Sequence, residues 1–332
     1  MIKRTLYFGN PAYLSKKDGQ LLLRLPEVEK NSTIPDSFKK QAEKSIPIED
    51  IAVVVLDHQR ITISQALMAA LLDNNVAIIT CDDKHHPTGL MLPLCGNSIQ
   101  SERFRSQIDA SVPLKKNLWQ QTVSAKIRNQ AMLLKSYEIV HDNMIYWANS
   151  VKSGDAENHE GRAAAYYWKS LTQILGSENP LFLRDRFGEA PNNLLNYGYS
   201  ILRATVARGL VSSGLLPTLG IFHKNKYNAY CLADDIMEPY RPFVDKLVIE
   251  IIETEENFQE LSKAIKAKLL GISTADITIN GERSPLMVGL QKTTASLVRC
   301  FEGVQKKIAY PELPGTELLA IAAERKEKYQ TI

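Results

Sequence analysis

Three short stretches of the chain carry acid and imidazole groups that could act together: Asn158-His159-Glu160-Gly161-Arg162, Phe222-His223-Lys224-Asn225, and Asp234-Asp235-Ile236-Met237-Glu238 ahead of Pro239-Tyr240-Arg241-Pro242. Taken singly, each has a plain structural reading. A glutamate opening a helix, as Glu160 does before Ala163-Ala164-Ala165-Tyr166, is favoured by the helix dipole alone. His223 can serve as a hydrogen-bonded structural histidine. Asp235 and Glu238, three apart on one helical face, can form a capping cluster. Taken together they do more. Two carboxylates and one imidazole with open positions suit an octahedral hard or borderline cation, Mg²⁺ or Mn²⁺, and the nitrogen ligand tips the choice toward Mn²⁺. Such an ion polarises a phosphodiester oxygen and orients a hydroxyl nucleophile. Arg162, Arg184, Arg186 and Lys224 lie close by in sequence and are candidates for holding phosphates. A glycosidase using Glu160 and Glu238 alone is an alternative that leaves His223 without a task.

The elements that must position these groups fall into two kinds. The first hundred residues read mostly as strand: Lys3–Phe8, a hairpin of Tyr13–Leu14 with Gln20–Leu25 around Lys17-Asp18-Gly19, the apolar run Ile51–Leu56, and Val76–Cys81. One helix interrupts them, Thr62–Asn75, with Thr62 or Ser64 as its cap. Residues 26–45 are polar with two prolines and read as a loop. From about Ser101 the apolar period becomes 3.6, with helices expected over 101–110, 114–148, 160–176, 190–213, 232–254, 256–270 and 284–308. The fold expectation is therefore α+β: a small N-terminal β-rich domain over 1–100, a larger all-α domain over 101–310, and a partly disordered tail over 311–332.

Composition narrows the classes. The chain has 332 residues, 44% hydrophobic and 23% charged, ordinary for a globular protein of two domains. Cys81, Cys95, Cys231 and Cys300 form no CxxC pair, which excludes a zinc knuckle or disulfide framework. No apolar run reaches 18 residues and the N-terminus lacks a signal-peptide core, so a cytoplasmic protein without a membrane span is expected. A net charge of +3 says little about nucleic acid. The run Leu114–Lys135 says more: it carries Lys115, Lys116, Lys126, Arg128 and Lys135 with no acid. Single-signed charge of this kind attracts phosphates, though a solvated helix face is the simpler account. Lys292, Arg299 and Lys306 recur every seven residues and extend the same expectation to 284–308.

Several stretches resemble one family. These are Arg4-Thr5-Leu6-Tyr7-Phe8 with Leu14-Ser15, Glu160-Gly161 leading to Ala165-Tyr166-Tyr167, Asn193-Leu194-Leu195-Asn196-Tyr197-Gly198-Tyr199, and His223 followed fifteen positions later by Glu238. They are similar to CRISPR-associated protein one, the integrase and endonuclease of spacer acquisition, in its type II branch, over roughly residues 1–305. The resemblance implies a β-sandwich-like N-terminal domain that makes a homodimer, an α-helical catalytic domain, and metal ligation by Glu160, His223 and Glu238, with Asp235 behind them. The unbroken positive sign of Lys115, Lys116, Lys126 and Arg128, and the nearness of Arg162, Lys224 and Arg241 to those ligands, make these seven the expected DNA contacts. The expected partners are a second copy of the chain, a bridging dimer of the small CRISPR-associated protein two, and double-stranded DNA, both spacer precursor and CRISPR repeat. The competing expectation is a DNA-binding scaffold of the same complex without chemistry of its own.

Overall fold

The structure, a computed structural model, describes residues 3–33, 35–175, 183–185, 188–255 and 257–314. The chain divides into two compact units, Met1–Gln100 and Ser101–Ile332.

In the first unit, one four-stranded sheet is ordered β1 (Arg4–Phe8), β5 (Ile51–Leu56), β7 (Ala77–Cys81) and β8 (Pro87–Met91). β1, β5 and β7 run parallel, and β8 closes the edge antiparallel. A second sheet is ordered β4 (Lys44–Pro47), β3 (Gln20–Arg24), β2 (Ala12–Lys17) and β6 (Ile61–Ile63). Asp18 and Gly19 both take positive φ at the β2–β3 turn, the backbone that a two-residue hairpin demands. The segment 26–45 is more ordered than its polar composition suggests, holding short helices α1 (Pro26–Glu29) and α2 (Asp36–Ala42) before β4. Helix α3 (Gln65–Asp73) is capped by Ser64, whose hydroxyl accepts the Leu67 N–H; Thr62 belongs to β6 instead. One core draws on both sheets and on α3, with Leu14, Leu21, Ile51, Val54, Leu67, Leu71 and Ile78 all buried.

The second unit is mostly helical: α4 (Gln100–Ile108), α5 (Val112–Ser136), α6 (Asp142–Ser150), α7 (His159–Leu175), α8 (Asn192–Ser212), α9 (Cys231–Met237), α10 (Arg241–Thr254), α11 (Lys263–Leu270) and α12 (Leu286–Phe301). Three expectations need correction. The helix expected over 114–148 is two helices, broken where Glu138 takes a positive φ, with no proline or glycine to mark the break. The stretch 232–254 bends through a tight turn at Glu238–Tyr240, with Pro239 and Pro242 where helix starts tolerate proline. The unit is not all-α: β9 (Asp276–Ile279) and β10 (Glu282–Pro285) form a hairpin around Asn280-Gly281, both with positive φ. That hairpin occupies the start of the helix expected over 284–308, so α12 begins at Leu286 and ends before Lys306.

The tail expectation also shifts. Thr278 and Glu312 pair as a β-bridge, Leu313 is buried, and Asn129 donates to the Pro311 carbonyl and accepts the Leu313 N–H. The chain is therefore docked through 314. Residues 315–332, like Arg186, lie outside the described residues.

Candidate active site

Glu160 sits in the first turn of α7. The turn ahead of it is built by Asp155, whose carboxylate accepts the backbone N–H groups of His159 and Glu160, each at 2.9 Å. Two acceptor bonds at a helix N-terminus fix the start of α7 and hence the Glu160 backbone. Glu238 opens the tight turn between α9 and α10 and is almost fully buried.

Glu160 and Glu238 are 78 positions apart in the chain, and they meet at one point. The Lys126 ammonium on α5 lies 2.7 Å from Glu160 Oε1 and 2.7 Å from Glu238 Oε2. Arg241 Nε donates to the other Glu238 oxygen at 3.0 Å. Burial works against ionising Glu238, but Arg241 and Lys126 together hold its carboxyl down at about 2. Burial likewise opposes the charged form of Lys126, and the two glutamates outweigh it, raising the ammonium above its ordinary range.

His223 lies on the loop between α8 and α9. Gln107 of α4 clamps that loop, donating to the Leu216 and Leu219 carbonyls and accepting the Leu216 N–H. The imidazole is aimed by Asp235, whose side chain is fully buried. Asp235 accepts the backbone N–H of Phe222 at 3.0 Å and of His223 at 3.2 Å, and contacts ring Nδ1 at 2.5 Å. This hydrogen bond pushes the His223 imidazole above its ordinary value, with Glu238 and Glu160 adding to the effect from nearby. Trp119 stacks on Phe222 at 4.2 Å with parallel rings and meets His223 edge-on at 5.6 Å, so the ring is walled as well as tethered. Gly220 is required here: a Cβ at that position would fall 2.4 Å from the His223 carbonyl oxygen and 2.7 Å from Asp235 Oδ2.

The donor set fits a divalent ion in kind. Two carboxylates already converge on a positive centre, and one imidazole has Nδ1 committed to a buried carboxylate. That is how metal-binding histidines are usually oriented, with Nε2 turned to the ion. Among the described residues no three acid, thiol or imidazole groups are gathered closely enough to ligate one ion as they stand.

The basic run is not one face. Arg128 and Lys135, seven residues and about two turns apart, are both exposed. Lys116 is exposed on another side of the helix, and Lys115 is half-buried, reaching the Ile108 carbonyl. Lys126 does not belong with them; it is 8% exposed and turned inward on the two glutamates. Its position was legible in one respect, since Trp119, Val123, Lys126 and Gln130 recur at i, i+4, i+7 and i+11, which puts the lysine on the buried stripe. Arg162 and Lys224 are exposed, while Arg241 is mostly enclosed by Glu238 and the Tyr199 ring. Arg184 lies over Trp168 and Tyr199 and donates to Asn192 and Asn196, so its guanidinium is engaged internally. Lys292 pairs with Glu282, and Arg299 donates to Gln305.

Sequence reasoning missed a buried group beside the site. Asp245 on α10 accepts the hydroxyls of Tyr167, at 2.6 Å, and Tyr199. Burial raises its carboxyl to about 6. Nothing in its local sequence sets it apart; the two tyrosines come from α7 and α8.

A family model described as "CRISPR associated protein Cas1" matches residues 7–268. The chain belongs to the Cas1 family. It is 33% identical over 298 residues to the CRISPR-associated endonuclease Cas1 of Neisseria meningitidis serogroup C (strain 8013), covering 89% of this chain and 91% of the relative. A casposase bound to integration product shares the Cas1-like fold with a TM-score of 0.73 at 20% identity, over 93% of this chain and 92% of that one. A chain of a Cas6-RT-Cas1–Cas2 complex superimposes with a TM-score of 0.71 at 19% identity, over 95% of this chain and 37% of that one. No helix among the described residues is long and apolar enough to cross a membrane.

Proposed function

We propose that the chain is a metal-dependent DNA endonuclease and integrase of CRISPR adaptation, joining the 3′-hydroxyl ends of captured spacer DNA to the CRISPR repeat by transesterification. One observation carries the reading. Glu160 and Glu238, from distant parts of a Cas1-family chain, lie 2.7 Å from a single cationic atom, beside an imidazole oriented by a buried acid.

In this reading Glu160, His223 and Glu238 hold one Mg²⁺ or Mn²⁺. When bound, the ion supplies Lewis-acid polarisation of the scissile phosphate and charge stabilisation at the leaving oxygen. The protein's own work is positional. Asp235 occupies Nδ1 and leaves Nε2 as the ligand atom, while Trp119 and Phe222 restrict rotation of the ring. Asp155 fixes the helix start that presents Glu160. Exposed Arg162 and Lys224 contribute positive charge for phosphate oxygens, joined by Lys115, Lys116 and Arg128. No side chain is needed as nucleophile, because the attacking group is the DNA 3′-hydroxyl. Double-stranded DNA, a second copy of the chain and the small CRISPR-associated protein two are the proposed partners. The likeness in fold to a casposase bound to integration product and to a chain of a Cas6-RT-Cas1–Cas2 complex supports the DNA and Cas2 parts of this proposal.

A non-catalytic DNA-binding scaffold is the second reading, favoured by the lysine that stands between the two acids. Cleavage and strand transfer by His223→Ala separate the two. The enzyme reading expects both activities to vanish in that variant and in EDTA while DNA binding persists. Parental strand transfer by His223→Ala in Mn²⁺ overturns it.

A further inference from the structure

The charges around the Glu160–Glu238 pair balance without any ion. Glu160 and Glu238 contribute two negative charges, and Lys126 and Arg241 contribute two positive ones: Lys126 touches both acids and Arg241 touches Glu238. Lys126 is not a surface cation that wandered in. It rises from the buried stripe of α5, its side chain is only 10% exposed, and its ammonium touches one oxygen of each acid. Two carboxylates brought together with no cation between them would repel. The lysine removes that conflict and holds the pair in register.

The same contact obstructs a divalent ion. An ion entering between Glu160 and Glu238 would meet a positive charge at contact distance, where like-charge repulsion is little screened by solvent. It would also have to take from Lys126 the very oxygens it ligates. We propose that Lys126 is the internal counter-cation of the carboxylate pair: it pre-assembles Glu160 and Glu238 when no ion is bound, gives up at least one of them when the ion arrives, and thereby sets the ion concentration at which the site loads. This rests on the metal-site reading above. It makes Lys126 a positioning residue whose charge opposes the ion, in contrast to the DNA contact that its place in a basic run suggested.

The test is Mn²⁺ titration of the full-length protein by calorimetry, with melting curves in EDTA and in saturating Mn²⁺. Lys126→Gln removes the charge and keeps a polar side chain. It is expected to bind Mn²⁺ about tenfold tighter than the parent or more, because a cation in contact with the ligands is gone. It is also expected to melt lower in EDTA and to gain more on Mn²⁺ addition than the parent does. Lys126→Arg keeps the charge and is expected to stay within about threefold of the parental affinity. A parental or weaker affinity in Lys126→Gln, where Glu160→Gln abolishes parental binding, overturns the counter-cation and leaves the metal site standing. Absence of Mn²⁺ binding by the parent, or undiminished binding by Glu160→Gln, overturns both. A measurement on the unaltered protein guards against a variant that does not fold. The rate of Lys126 acetylation by an amine reagent, read by mass spectrometry, should rise several-fold in saturating Mn²⁺ over EDTA as the ammonium is released. An unchanged or slower rate refutes the displacement.

Discussion

Replacing Asp235 by asparagine keeps the volume of a fully buried side chain and changes only what its two ends can do. The aspartate accepts from three N–H groups: the Phe222 and His223 backbones at 3.0 and 3.2 Å and the ring Nδ1 at 2.5 Å. An asparagine has one accepting end. If its oxygen serves the imidazole and the His223 backbone, its NH₂ faces the Phe222 N–H, donor against donor. If it flips, the NH₂ meets Nδ1, the ring must carry its proton on Nε2, and the atom proposed to ligate the ion is blocked. Hydrogen bonds to charged groups contribute about 1.5–3 kcal/mol each, and an unmet buried donor costs about 1–3 kcal/mol. Asp235→Asn is therefore expected to lower unfolding free energy by about 2–4 kcal/mol in urea titrations. Loss of an acid that orients a metal-binding histidine typically weakens metal affinity about 10- to 100-fold. Mn²⁺ calorimetry on Asp235→Asn should show a loss in that range, with DNA affinity at fixed salt unchanged. A dissociation constant within about twofold of the parent would refute the claim that Asp235 presents His223 to the ion.

Gly220→Ala should disturb the same loop by crowding the His223 carbonyl and Asp235, costing about 1–3 kcal/mol of stability and weakening Mn²⁺ binding; a variant that melts and titrates like the parent would mean the loop yields freely. Asp245 predicts a pH dependence. Its folded carboxyl, raised by burial to about 6 from an ordinary value near 4, binds protons more readily in the native state. The stability it contributes is therefore present at pH 4 and lost as pH rises through 6, so parental stability minus that of Asp245→Asn should fall by about 2–3 kcal/mol over that window. A flat difference, or one that rises, contradicts a buried acid of raised pKa. Neutralising Lys115, Lys116 and Arg128 together should weaken DNA binding alike for all sequences and reduce the slope of log affinity against log salt by about 2–3; an unchanged slope would place the phosphates elsewhere.

The period-2 and period-3.6 patterns made the division near residue 100 and most of the elements legible, because apolar spacing reports which face an element buries. What escaped was weakly marked or not marked at all. The α5–α6 break rests on a left-handed Glu138 without glycine or proline, and the β9–β10 hairpin carried an Asn280-Gly281 turn whose flanking strands are only four residues each. Glu160, His223 and Glu238 stood out by residue type and by resemblance to a family. The contacts that organise them depend on side chains meeting across helices: Lys126 between two acids, Asp235 under the imidazole, Trp119 against Phe222. A run of like charges showed where cations lie along α5. It did not show which of them face inward, and Lys126 is the one where that difference changes the chemistry.

Whether Glu160, His223 and Glu238 close around one divalent ion decides the metal-site reading. Anomalous scattering from a Mn²⁺-soaked crystal of the unaltered protein measures this directly. A single strong peak within ligand distance of both carboxylates and of His223 Nε2, with the Lys126 ammonium withdrawn from at least one of the two acids, is the expected result. A fully soaked crystal with no peak there, and Lys126 still bridging Glu160 and Glu238, would contradict it.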